Sequence, residues 1–241
     1  MKKRFTWLFA ALCVFSLIAP AYASVYFHGD PHKKAVAITF DDGPNGEYTE
    51  RVLDVLRDKD AKATFFVIGK FVELFPDTAR RIVEEGHAIG NHTYRHPDLR
   101  FQSRKVIGAQ LVEAERVISN ITGAKPRIFR PPYGGKSPKV LETAADMGFV
   151  IVEWSVSGKN GDKEIKAERI VRNVLNKVKN GSIILLHDGN RITPGFDRSQ
   201  VVKALFIIID ELRARGYKIV TVPELLGISN ENEIIFSEYS R

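Results

Sequence analysis

The sequence predicts an α/β protein in which a parallel sheet is wrapped by helices, and three features predict it. Short β-rich runs alternate with amphipathic helical runs from Ala35 to about Leu226. One of the β-rich runs, Ile183-Ile184-Leu185-Leu186, is apolar at every position, as a strand covered on both faces must be. No repeat, low-complexity tract or linker interrupts the alternation, so the runs belong to one domain. Seven strand units with intervening helices fit either a barrel or a doubly wound sheet, and spacing alone does not choose between them.

The chain begins with Lys2, Lys3 and Arg4, an apolar segment from Trp7 to Ile18, and Pro20-Ala21-Tyr22-Ala23, the small-x-small pattern of a secretory cleavage site. A signal peptide is therefore expected over 1–23, with a retained N-terminal anchor as the alternative. The apolar segment is too short for a comfortable membrane span, so no membrane insertion is expected once it is removed. The single cysteine, Cys13, lies inside it and follows Leu12, which is too large for a lipoprotein cleavage site. An exported, periplasmic or extracellular chain without disulfides has to rely on its core, and this one is long enough to build one. Cleavage also removes three basic residues and no acid from a net charge of +7. The remaining balance is mild and no basic stripe with interleaved aromatics is present, which argues against nucleic acid as a partner. Nothing in the sequence bears on oligomeric state.

After an N-terminal segment over 24–34, the first expected strand is Val36–Phe40, which ends in Asp41, Asp42 and a Gly43-Pro44 turn. A helix comes next near Glu47–Lys59, then a strand over Ala63–Ile68, a helix over Phe71–Glu85 and a strand over Ala88–Asn91. The helix near Gln102–Ile121 shows its period well: Ile107, Leu111, Ala114, Ile118 and Ile121 form one stripe, and Gly123 stops it. Next come a strand at Ile128–Arg130, a helix at Pro138–Met147, a strand at Phe149–Glu153, a helix at Lys166–Val178 and a strand at Ser182–Leu186. The last helix, Ser199–Arg215, turns Val201, Leu205, Ile208 and Leu212 one way before Gly216, and a strand over Tyr217–Val222 closes the domain at 35–227. The tail over 228–241 is polar and expected to be peripheral.

The residues directly after the strands carry the chemistry. Asp41 and Asp42 come after the first; His92-Thr93-Tyr94-Arg95-His96 after the third; Arg130-Pro131-Pro132-Tyr133-Gly134 after the fourth; Trp154 after the fifth; His187 and Asp188 after the sixth. In parallel α/β folds the C-terminal strand ends form one face, where catalytic residues gather. Neighbouring side chains at a strand end point in different directions, so two adjacent acids can do two jobs, one holding a cation and one moving a proton. The alternative is an Asp-Gly turn that binds only local N–H groups. His92 and His96 are four apart with Pro97 directly after, so they can converge on one ion. Two imidazoles and one carboxylate with open positions suit a Lewis-acid zinc or a redox iron. His87, which opens a strand, reads as structural; His28 and His32 have no assigned role. Asp188 reads as a brace for the loop Gly189–Phe196.

Thr39–Pro44, His92–His96, Arg130–Gly134 and Leu185–Asp188, in this order at strand ends, resemble the motif set of the polysaccharide deacetylases of the NodB-homology class, carbohydrate esterase family 4. The resemblance covers about Val36 to Leu226 and implies a distorted (β/α)7 barrel. Carried over by position, it makes Asp41 the general base, His187 the general acid, and Asp42, His92 and His96 the ligands of a divalent metal, zinc first, with cobalt, nickel or another divalent ion possible. Arg130 orients and ionises Asp41, the Tyr133 backbone N–H helps hold the oxyanion, and Leu185 lines the pocket for the acetyl methyl. Trp154, from its own place after a strand, reads as a wall of the substrate site or a core residue rather than a sugar platform. The implied substrate is an acetylated polysaccharide or oligosaccharide, and the implied reaction is hydrolysis of its N-acetyl groups.

The chain departs from that pattern once. The family usually carries Asp-x-x-Asp-Trp after the Trp154 strand, where the second acid tunes the catalytic histidine; here the aligned residues are Ser157, Asn160 and Gly161. Without that carboxylate the imidazolium of His187 loses a stabilising charge, and its pKa is expected to be lower than in typical members. Asp162 and Asp188 are the nearest substitutes. Two other readings remain open: a related metallohydrolase acting on O-acetyl or formyl groups, and a non-catalytic polysaccharide-binding homologue.

Overall fold

Side chains alternate along a strand, and the sheet uses that alternation to bring one row of residues to a common rim. The computed structural model describes residues 23–161 and 165–228. Apart from Ala23 and Ile228, the expected signal peptide and polar tail lie outside the described residues, as does Asp162. The elements are β1 (Val25–Tyr26), β2 (Ala35–Asp41), α1 (Glu47–Asp58), β3 (Thr64–Val67), α2 (Gly69–Leu74), α3 (Pro76–Glu84), β4 (Ala88–Asn91) and α4 (Arg104–Thr122). They continue with β5 (Ile128–Phe129), α5 (Pro138–Asp146), β6 (Val150–Val152), β7 (Val156–Ser157), α6 (Ala167–Leu175), β8 (Ile183–His187), α7 (Ser199–Ala214), β9 (Lys218–Val220) and α8 (Val222–Leu226).

The strands form one sheet in the order β1-β6-β5-β4-β3-β2-β8-β7, with β9 also on β2, and every strand pair is parallel. The sheet curls into a distorted α/β barrel wrapped by helices. β8 occupies one edge of β2 over Ala37–Asp41, so β9 and β3 share the other edge, β9 at Ala35–Ala37 and β3 at Thr39–Asp41. α8 enters where those two diverge: Val222 N donates to Thr64 Oγ1 at 2.8 Å.

Alternation sorts the core into an outer and an inner layer. Val36, Ile38 and Phe40 of β2 and Ile184 and Leu186 of β8 pack outward with α1, α6 and α7, where Phe40 stacks on Phe65 at 5.0 Å. Each such fully buried side chain contributes about 1.5–3 kcal/mol. Ala37, Phe66, Ile128, Val152, Ile183 and Val220 point inward, and Val222 and Leu225 of α8 pack among them. In the register of the sheet, Ala37, Thr39 and Asp41 lie beside Ile183, Leu185 and His187. The inner rows of β2 and β8 therefore climb from apolar residues to an acid and an imidazole facing each other at the C-terminal rim.

Three expected boundaries shift. The single helix over Phe71–Glu85 is two, α2 and α3, because Pro76 lacks an N–H and forces Phe75 out of helical geometry, at φ −127° and ψ 61°. The strand expected over Tyr217–Val222 ends at Val220; Thr221 caps α8, accepting from Glu224 N at 3.3 Å, with Pro223 in its first turn. β1 and β7 extend the seven expected units to nine strands, and at two residues each they are too short to show a period. In α4, which Ser103 caps, Ile107, Leu111, Ala114 and Ile118 are buried as expected; Val117 joins them, Ile121 is only partly buried, and Gly123 ends the helix in the left-handed region.

Candidate active site

Strand alternation sends Asp41 inward and would send Asp42 outward with Phe40. Asp42 instead adopts φ 70°, a left-handed turn that swings its carboxylate onto the rim beside Asp41. Among the described residues six non-glycine residues have positive φ, and four of them, Asp42, Thr93, His96 and Tyr133, lie in this region. Each costs about 1–3 kcal/mol, which the surrounding contacts have to offset.

The His92–His96 loop is held by the end of β4. Asn91 Nδ2 donates to Leu111 O of α4 at 3.0 Å, Asn91 Oδ1 accepts from Thr93 N at 2.8 Å, and Thr93 Oγ1 accepts from His96 N at 2.9 Å. The two imidazoles meet edge to face at 4.9 Å. His92 Nδ1 bonds Arg130 O at 2.7 Å, leaving Nε2 to face the acids. His92 Nε2 lies 3.5 Å and His96 Nε2 3.3 Å from Asp42 Oδ1. All three side chains are buried, and Asp42 Oδ1 has no hydrogen-bond partner among the described residues.

These three residues fit a metal ion. Bonds of about 2.0–2.2 Å to a tetrahedral ion hold ligand atoms about 3.3–3.6 Å apart, which the two distances match. Burial would raise the Asp42 carboxyl, but His92, His187 and His96 outweigh it and hold it below the usual carboxylate range. Burial and His92 push His96 down to about 4, so its imidazole is neutral, as a ligand must be. Although burial opposes it, Asp41 and Asp42 hold His92 above its ordinary value, and theirs are the negative charges that a cation would neutralise.

Arg130 lies beneath the rim, fully buried. Its Nη1 donates to Asp41 Oδ1 at 2.7 Å and to Thr39 Oγ1 at 2.8 Å, its Nε to Val152 O at 2.9 Å and its Nη2 to Glu153 O at 3.0 Å. Its guanidinium lies 4.0 Å from the Phe66 ring centroid. A fork with all three nitrogens bonded in this way fixes the direction of the Asp41 carboxylate. After Arg130 the chain turns through Pro132–Gly134, and the half-exposed Tyr133 ring meets His96 at 4.8 Å. Lys136 secures that turn, donating to Gly134 O at 2.9 Å and to the buried Glu153 Oε1 at 2.7 Å.

His187, half-buried, faces Asp41 across the β2–β8 pair. Burial outweighs the pull of Asp42 and Asp41 and sets its imidazole below the ordinary value. Its Nδ1 has no hydrogen-bond partner among the described residues. Asp188 does not replace the missing acid: its Oδ2 accepts from Thr49 Oγ1 at 2.5 Å. Asn45 Nδ2 links Asp188 O at 3.0 Å to Phe196 O at 2.9 Å, so the side chain that braces the loop is that of Asn45, and the Asp188 carboxylate instead ties the rim to α1. The loop needs Gly189, where a Cβ would stand 1.9 Å from Asp42 O. His87 is likewise structural, buried against Phe65 with Nδ1 accepting from Ala63 N at 3.3 Å.

Asp188 sets a pH dependence of stability. Burial pushes its carboxyl up to about 7, whereas the unfolded chain releases that proton near 3.8. Between those values the folded protein keeps a proton that the unfolded chain has lost, so this contribution is full below about pH 4 and fades as pH rises through about 7. Wild type is expected to lose up to about 4 kcal/mol relative to Asp188→Asn across that window. Thermal unfolding of both proteins at each pH measures it; a constant difference contradicts it.

Asp41, Asp42, His92, His96, Tyr133, Trp154, Leu185 and His187 line one cavity of about 120 Å³, and Arg130 lies under it. Pockets that enclose a drug-sized ligand hold roughly 300–1,000 Å³, so this one admits a small group and leaves the rest of a substrate outside. A larger cavity of about 680 Å³ near the N-terminal end of β8, between His28, Lys177, Lys179 and Tyr217, gathers no comparable set of acid, base and ligand groups. Thr39 and Thr93 lie inside the motifs and Asn91 and Glu153 at expected strand ends, but their supporting roles had no signal in the sequence, because they act through contacts with no periodic signature.

The family model of the polysaccharide deacetylases matches residues 28–152. A peptidoglycan-N-acetylglucosamine deacetylase of Bacillus cereus is 40% identical over 213 residues, 88% of this chain and 74% of that protein. A chitooligosaccharide deacetylase of a Bradyrhizobium strain is 40% identical over 214 residues, 86% of this chain and 97% of that protein. The crystal structure of a peptidoglycan N-acetylglucosamine deacetylase is similar with a TM-score of 0.81 and 38% identity, covering 87% of this chain and 95% of that one.

Proposed function

This chain belongs to the polysaccharide deacetylase family, and from that premise we propose that it hydrolyses N-acetyl groups of a cell-wall or exported glycan outside the cytoplasm, with a divalent metal as cofactor. The observation that carries the reading is the buried Asp42 Oδ1, 3.5 and 3.3 Å from two imidazole nitrogens and without another partner among the described residues. Asp42, His92 and His96 would hold the ion, zinc before cobalt or nickel. Such an ion supplies Lewis-acid polarisation of the acyl carbonyl and makes water acidic enough to attack at neutral pH.

The chain's own groups divide the remaining work. Asp41, aimed by Arg130, takes the proton of the attacking water. The Tyr133 backbone N–H donates to the oxygen on which negative charge develops. His187, on the strand beside Asp41, donates a proton to the departing amine, which is a poor leaving group without it. Leu185 receives the acetyl methyl and Trp154 walls the cavity. A volume of about 120 Å³ suits an acetamido group with its sugar outside, which accords with a polymeric substrate. Export by the N-terminal leader and action on peptidoglycan or chitin-type chains accord with the similar proteins.

One observation favours a second reading, a non-catalytic glycan-binding homologue: Ser157, Asn160 and Gly161 replace the family's acids and tryptophan, and His187 Nδ1 has no partner among the described residues. Acetate release separates the readings when the zinc-loaded protein is incubated with peptidoglycan strands, chitooligosaccharides and an O-acetylated glycan. The deacetylase reading expects acetate from an N-acetylated glycan and little from the O-acetylated one. Release from the O-acetylated glycan alone would point to an esterase, and no release with retained glycan binding would overturn the catalytic reading.

A further inference from the structure

Arg198 is 2% exposed and has no part in the chemistry above. Its guanidinium ties two loops together. Nε donates to Gly189 O at 2.8 Å, Nη1 to Asn160 O at 2.5 Å and Nη2 to Gly161 O at 2.6 Å, with a further bond from Nη2 to Gly189 O. One loop follows β7 and the other follows β8, and His187 lies between them. Asn160 Nδ2 donates to His187 O at 3.1 Å. Gly161 approaches the ring so closely that a Cβ there would stand 3.4 Å from both Cε1 and Nε2 of His187. Arg198 is itself fixed, because it opens α7 with its carbonyl accepting from Val201 N at 2.9 Å and Val202 N at 3.2 Å.

A buried guanidinium is costly unless its donors are filled. Here they are filled by the carbonyls of the segment that walls His187, and that segment holds the positions where the related sequence pattern carries an acid and a tryptophan. We propose that Arg198 is a positioning residue that, by clamping Asn160–Gly161 onto Gly189, holds the His187 imidazole at the angle from which it protonates the departing amine. The inference rests on the reading of His187 as general acid.

A displaced acid has a chemical signature. An amide nitrogen must be protonated to leave, whereas 4-nitrophenolate leaves unprotonated. Both substrates use the same water, base and cation, so only the first reports the position of the acid. The test is steady-state kinetics of zinc-loaded wild type, Arg198→Gln, Arg198→Lys and His187→Ala on an N-acetylglucosamine oligomer and on 4-nitrophenyl acetate, with bound zinc measured for each. Arg198→Gln is expected to lower kcat on the oligomer by about 10- to 100-fold. Its KM on the oligomer, its zinc content and its ester hydrolysis stay within about threefold of wild type. Arg198→Lys keeps the charge but not the fork and recovers part of the loss; it carries the same test if Arg198→Gln does not fold. His187→Ala shows the same selectivity with a larger loss.

Equal losses on both substrates in the Arg198 variants, or no loss, overturn the inference while a selective loss in His187→Ala leaves the acid reading intact. A loss in His187→Ala that falls equally on both substrates overturns the acid reading, and the inference with it.

Discussion

Asp41→Asn is expected to lower the rate of acetate release by about 10²- to 10⁴-fold while the protein still folds and still binds one zinc ion. The residue is 3% exposed, on the inner row of β2, and its Oδ1 takes the Arg130 Nη1 bond at 2.7 Å. Asparagine keeps the shape and the carbonyl oxygen that can accept that bond, but it has no carboxylate with which to take a proton from water. It also leaves the Arg130 charge buried without its counter-ion. Breaking a buried pair costs about 3–5 kcal/mol when one partner is removed outright, and the retained hydrogen bond should keep the loss below that range. Zinc content by elemental analysis, thermal unfolding and acetate release on one protein batch check all three parts. Substantial activity in Asp41→Asn would remove Asp41 from the chemistry.

Asp42→Ala is expected to abolish both zinc binding and activity. Asp42 supplies the one negative charge among the three donors, and changes even to residues behind metal ligands typically cost 10- to 100-fold in metal affinity. Loss of a direct ligand should cost at least about that much. The metal-free proteins should differ too, with wild type the more stable, because His92, His187 and His96 favour the ionised Asp42 carboxylate and alanine fits φ 70° less well than aspartate. Zinc at about 100 times its dissociation constant should stabilise wild type by about 2.7 kcal/mol and Asp42→Ala by almost nothing. Unfolding midpoints with and without zinc read this difference directly.

The rim of the barrel was legible in the sequence because its residues follow strands, and strands announce themselves by apolar runs. Asp41, His92, Arg130 and His187 could be placed on one face before any geometry was known. The side on which Asp42 emerges was not legible, since alternation points it outward and only a left-handed residue returns it. The hydrogen bonds of Arg130 to Val152 O and Glu153 O, and of Arg198 to Asn160 O and Gly161 O, join residues 22 to 38 positions apart. Such bonds leave no period to read. The Phe75–Pro76 break could have been read, because a proline inside an apolar helical pattern is itself the signal. Periodicity left barrel and open sheet undecided; the motif resemblance chose the barrel, and the sheet order agrees with that choice.

Everything proposed for the site depends on one cation at Asp42, His92 and His96. The most direct test is to strip the protein with chelator and add zinc in small steps, following acetate release from N-acetylglucosamine oligomers. Activity should be absent at the start and rise to a plateau at one zinc per chain. Acetate release that persists in chelator, or that rises equally in Asp42→Ala, would contradict the account.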